Sequence, residues 1–290
     1  LMLSLSLSLG VAACGDDGSG GDAITLNPVT GTFVGPESAH WDATNNVWYV
    51  ANLGQSGIGA PDQPCYITRI AADGTVMDER FVEIAEGDFV GTATMNGMLY
   101  VTHSGVNLVE IDPADPSNPT IIPVPDTMFI NDVAAGDGTL YMSDTLANTI
   151  YRYTPGGEFE TLSEDPALVA PNGVYVDGDE VIVGTLGAFP VDPDNQGGMF
   201  SIDAAGVATR IGTLEGAFDG IEKDGERYLV SDFDGTISLL SPSGDAETVA
   251  DFSQEPYSLV SVADIGFDPT SRTVMVPDLN GNSVAWFVLP

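Results

Sequence analysis

Six short apolar runs of one shape recur along the chain: VWYVAN (47–52), MLYVTH (98–103), TLYMSD (139–144), VIVGT (181–185), RYLVSD (227–232) and TVMVPD (273–278). They return at roughly 40 to 53 residues, the length of one four-stranded propeller blade. Nearly every apolar run is four to seven residues long and bounded by Gly, Pro, Asp or Asn, and no segment sustains a helical period. In the fourth unit Asp-Gly-Asp separates Val174–Val176 from Glu180–Gly184, which reads as a hairpin turn between the first two strands. Third strands follow, such as NTIYRY (148–153) and GTISLL (235–240), and then fourth strands such as GEFETL and AETVAD. The last unit stops at its third strand, NSVAWFVLP, and AITLNPV (23–29), ahead of the first unit, can supply the strand it lacks. Such an overlap closes the ring without an open edge. The expectation is an all-β, six-bladed β-propeller over residues 23–290, with its ring closed by an N-terminal strand.

Composition narrows the partners. Seven Lys and Arg stand against 43 Asp and Glu, a formal net charge of −36. Such a surface repels nucleic acid and anionic lipid headgroups, whose binding relies on basic residues. Acidic loops such as DPADP (112–116) solvate the surface. The N-terminal LMLSLSLSLGVAAC is apolar but too short to span a bilayer as a mature helix. Its Val-Ala-Ala-Cys resembles a bacterial lipobox. Residues 1–14 are therefore expected to be a lipoprotein signal ending at Cys14, the lipidation site, with residues 15–22 as a flexible tether. The protein is then exported and touches the membrane of the cell envelope only through that anchor, with Cys65 left unpaired. A monomer is expected.

Aligning the units on their second strands brings six residues into register where the first strands begin: Glu37, Val90, Asn131, Asn172, Asp219 and Ala263. The first strand of a blade is innermost, so these positions ring the mouth of the central channel. Four of them offer oxygen, as two carboxylates and two amide carbonyls, and none is His, Cys, Lys or Arg. That donor set suits a hard cation such as Ca²⁺ and argues against a zinc-type site.

Around these positions the chain resembles the senescence-marker-protein (regucalcin) and gluconolactonase family, with more distant kin in the diisopropyl-fluorophosphatase and paraoxonase enzymes. The likeness runs from about residue 33 to the end. It rests on PESAHWD around Glu37, INDVAAGDGTLYMSD around Asn131, PNGVYVDGDEV around Asn172 and FDGIEKDGERYLVSD around Asp219. The resemblance implies that Glu37, Asn131, Asn172 and Asp219 hold a catalytic divalent metal and that Asp219 is also the general base, with a lactone or related ester as substrate. Glu37 is the alternative base. Sugar-lactone members often carry Arg where this chain has Phe129, which favours a more apolar substrate, and the sixth unit is closer to exported members of the family. Two other readings share the same residues: a non-catalytic, metal-stabilised propeller that binds a ligand or an envelope protein, and a metal-dependent phosphotriesterase. Fold does not choose among them.

The remaining candidates are weaker. His103 ends a second strand on the face of the ring and could shuttle a proton. His40, within a first strand, is expected to pack between blades, and Cys65 to be structural, since no His is near it in sequence. There is no G-x-S-x-G elbow, H-E-x-x-H motif or phosphate-binding glycine loop. DPDNQGG (192–198) lacks calcium-loop spacing and reads as a surface insertion. It belongs to one of two long loops between second and third strands, on opposite units 1 and 4. These loops are expected to face each other across the ring, with Ile58, Phe189 and Phe129 lining a substrate pocket that His103 also borders.

Overall fold

The computed structural model describes residues 24–54, 64–257 and 259–290. Cys14, the tether at 15–22 and Ile58 lie outside the described residues, and so does the expectation attached to each. The structure contains six antiparallel four-stranded sheets, and none of the described residues is helical. Blades 1 to 5 span 36–84, 89–123, 130–163, 171–210 and 218–251, each with its strands in chain order. Blade 6 takes three strands from 266–288 and its outermost strand from Asn27–Pro28. The protein is a six-bladed β-propeller.

The closing strand is shorter than expected. Asn27 pairs with Trp286 and Pro28 with Ala285, and the Val29 amide donates to the Val284 carbonyl at 2.8 Å. Pro28 brings no N–H to the ladder, which suits it only to an edge such as this one. The sixth inner strand is also short, Gly266–Asp268, although Ala263 and Asp264 still donate to the carbonyls of Pro277 and Glu37.

The apolar faces explain why the sheets stack in a ring. Each of six buried clusters joins one blade to the next; Tyr49, Ile67 and Val82 of blade 1, for example, pack on Phe89, Leu99 and Val109 of blade 2. The inner strands touch one another around the axis: Pro36–Asp42, Phe89–Met95, Ile130–Gly136, Pro171–Asp177, Phe218–Asp224 and Gly266–Asp268. Cys65 is a free, buried thiol that burial pushes up to about 12, so it is inert as a nucleophile at neutral pH. The half-buried His40 does bridge blades, with Nε2 2.8 Å from Thr94 Oγ1, and burial lowers its pKa to about 4.

Candidate metal centre

Five inner strands are bulged at one place. Their registers shift between Pro36 and Ser38, Phe89 and Thr92, Ile130 and Val133, Pro171 and Val174, and Phe218 and Ile221. Each shift falls on an aligned position of the ring. A bulge sets two residues against one on the neighbouring strand and breaks the alternation of side chains. Glu37, Asn131, Asn172 and Asp219 therefore occupy equivalent bulged positions at one end of the channel, each only 3–4% exposed.

The glycines of PNG and FDG are consequences of this packing. A Cβ on Gly173 would lie 1.5 Å from the Asp219 carbonyl oxygen, and one on Gly220 would lie 2.2 Å from the Ile265 amide. Asn172-Gly173 is thus the bulge of the strand Pro171–Asp177, which meets the next blade too closely for any side chain. Hydroxyls fix the same layer. Ser231 Oγ accepts from Gly220 N–H at 2.8 Å and donates to the Ala263 carbonyl at 2.9 Å, and Thr102 links Gly91 to the Asn131 carbonyl in the same way.

The two amides are held with their oxygens free. Thr145 Oγ1 gives its only hydrogen to the Pro171 carbonyl at 2.8 Å, so toward Asn131 Nδ2, 3.1 Å away, it can only accept. That fixes the amide orientation and leaves Asn131 Oδ1 buried without a partner; Asn172 Oδ1 is equally buried and unpartnered. Unpaired buried carbonyl oxygens are rare because each forfeits its hydration. The Asn172 side chain bonds Asp219 and lowers its proton affinity, but burial and the charges of Asp264 and Asp232 outweigh this and raise the Asp219 pKa well above the ordinary range. Glu37 is raised likewise, by burial first and then by Asp219, Asp264 and Asp132.

Asp132 and Asp264 form a second acidic layer that was not anticipated. They follow Asn131 and Ala263 in sequence and line an axial cavity of ≈140 Å³ with residues of all six blades. Asp132 accepts the Val133 and Val174 amides, both at 2.7 Å, tying blade 3 to blade 4. Asp264 Oδ2 accepts from Ser38 Oγ at 2.7 Å, and burial pushes its pKa up to about 7. No basic side chain offsets these charges. All seven Lys and Arg are ion-paired elsewhere, to Asp78, Glu83, Glu160, Asp177, Glu215, Asp224 and Glu247.

The donors fit a hard cation: two acids and two amide oxygens, two of which want a partner. No group of three or more His, Cys, Asp or Glu among the described residues is arranged as a metal site, so the acids alone do not form one. The outlying candidates are placed as follows. His103 is buried, its Nε2 faces the Glu86 carbonyl at 3.0 Å, its Nδ1 has no partner, and burial lowers its pKa. Phe129 and Phe189 stack with centroids 5.9 Å apart, so the blade-4 loop does reach the rim beside Asn131.

Fold and site together define a six-bladed propeller with a buried oxygen-donor ring of two acids and two amides at one end of its axis. No protein-family model and no curated protein matches the chain. Solved structures do. A gluconolactonase of Xanthomonas campestris superposes with a TM-score of 0.71 at 16% identity, over 92% of this chain and 90% of that one. A luciferin-regenerating enzyme superposes with a TM-score of 0.63 at 12% identity, over 92% and 95%. A virginiamycin B lyase of Staphylococcus aureus gives 0.61 at 15% identity, over 92% and 100%. These likenesses concern the fold.

Proposed function

We propose that this protein is a divalent-cation-dependent hydrolase of lactones or related esters, with Glu37, Asn131, Asn172 and Asp219 holding Ca²⁺. The observation that carries the reading is the pair of buried, unpartnered amide oxygens between two carboxylates that no basic residue neutralises. The fold shared with a gluconolactonase supports the reaction class. A bound cation supplies carbonyl polarisation and a counter-charge for the oxyanion. The chain's own residues do the rest. Asp219 accepts the proton of the attacking water on its carboxylate oxygen, and the bond from Asn172 orients that carboxylate. Asp264 beside it holds the local potential negative, which favours proton uptake.

The test is a panel of lactones and aryl esters assayed with and without chelator. Hydrolysis that chelator abolishes and Ca²⁺ restores supports the reading; a tightly held cation without turnover on any substrate means a binding module instead. We also propose attachment to the cell envelope through Cys14, to be checked by fatty-acid labelling of the wild type and of Cys14→Ser.

A further inference from the structure

The four candidate ligands are buried, and the side chains that follow the second strands form a cover beside them. That cover is apolar on four blades, where Leu53, Leu186, Phe233 and Leu279 follow the second strands. Phe233 packs both on Leu53, Val90, Ala263 and Leu279 and on Ala170, Leu186 and Ala217. It is the joint between the two halves of the cover, and it is only half-buried. Outside it, between the blade-4 insertion and blade 5, lies a cavity of ≈220 Å³ walled by Leu186, Val191, Ala217 and Phe233, with Asp192 and Asp232 at its edge. Ala217 stands two residues before Asp219, so one wall of the cavity belongs to the cover of the metal centre.

We propose that this cavity is the subsite for the apolar part of the substrate, and that Phe233 is the specificity-determining wall between the subsite and the metal centre. The inference rests on the hydrolase reading and names its substrate class: neutral lactones or esters bearing an alkyl or aryl group. The volume exceeds the roughly 150 Å³ that suffices for benzene, which allows a phenyl ring or a chain of about six carbons. None of the residues lining the cavity is a base able to pair with a carboxylate or phosphate, and Asp192, Asp232 and Asp234 there repel both. Sugar acids and phosphorylated substrates are therefore disfavoured.

The experiment has two arms. Calorimetry with butanamide, hexanamide and octanamide reads binding without turnover, and kcat/KM for aryl acetate through octanoate reads it in catalysis. Both should rise roughly fourfold per methylene up to about six carbons, the scale of burying one such group. Ala217→Phe, which fills the cavity, and Val191→Glu, on its exposed wall, should flatten both profiles, while Phe233→Ala should move the optimum to longer chains. Val191→Glu decides alone if Ala217→Phe does not fold. A wild-type profile flat with chain length, or one unchanged in Val191→Glu, overturns the inference. If no ester is hydrolysed under any metal condition, the hydrolase reading fails, and the amide profiles still decide whether the cavity binds apolar chains.

Discussion

Asn131 and Asn172 differ from the other buried polar residues of the axis in what they leave undone. Ser38, Thr102, Asp132 and Ser231 all meet partners across the blades, whereas each asparagine leaves an oxygen bare. An orphan group costs about 1–3 kcal/mol, a cost that persists only where something else requires it. Asn131→Leu removes the orphan at the loss of one bond to Thr145. The metal-free variant should melt at or above the wild type, while the Ca²⁺-induced rise in Tm disappears; a variant that keeps this rise would take Asn131 out of the donor set. Asp219→Asn asks a different question, because it preserves size and one ligand oxygen but removes the charge and the proton acceptor. Ca²⁺ binding should weaken yet remain measurable by calorimetry, and turnover at saturating Ca²⁺ should fall roughly 10²-fold or more. Wild-type turnover in that variant would move the base elsewhere, with Glu37 the first residue to examine.

At the scale of the strand, the bulges decide what the sequence could and could not show. The six second strands and the aligned positions from Glu37 to Ala263 were legible, because each repeats a pattern that only a blade satisfies. Asp132 and Asp264 were not. Under strict alternation the residue after an inward-facing one points away from the axis, and the extra bulge residue cancels that rule without marking itself in composition. Phe233 was hidden for another reason: its equivalents are Leu53, Ser104, Thr145, Leu186 and Leu279, so no shared residue type reveals the layer. Gly173 also reads as a turn residue after Asn, yet it lies in the bulge. Two substitutions separate these roles. Gly178, at φ +62° in the hairpin turn, has open space around a Cβ, so Gly178→Ala should cost about 1 kcal/mol from backbone strain alone. Gly173→Ala places a methyl 1.5 Å from the Asp219 carbonyl, so it should lower Tm far more and weaken Ca²⁺ binding with it. Equal losses in chemical denaturation would contradict the close approach of blades 4 and 5.

For the whole molecule the question is how a chain of net charge −36 keeps acids on its axis. Without a cation, burial and the repulsion of neighbouring acids raise Glu37, Asp132 and Asp219 well above their ordinary range, and burial alone raises Asp264 to about 7. In the unfolded chain the same groups titrate near ~4. The folded state therefore binds more protons above pH 4, so the axial contribution to stability is complete below about pH 4 and falls as pH rises, with the Asp264 share lost as pH passes about 7. A bound cation reverses the sign, since it holds the carboxylates ionised and its binding displaces protons. The metal-free protein should thus lose Tm between pH 5 and pH 8, while the Ca²⁺-loaded protein should hold or gain it, so that the Ca²⁺-induced shift widens with pH. Surface repulsion also grows with pH, but added salt screens it within a few ångströms, whereas the buried acids are screened far less. Melting curves in about 0.5 M NaCl, with and without Ca²⁺ at matched ionic strength, isolate the axial part. A metal-free Tm that stays flat or rises from pH 5 to pH 8 under those conditions would mean that the axial acids are not held in the protonated state described here, and the case for a cation between them would lose its electrostatic basis.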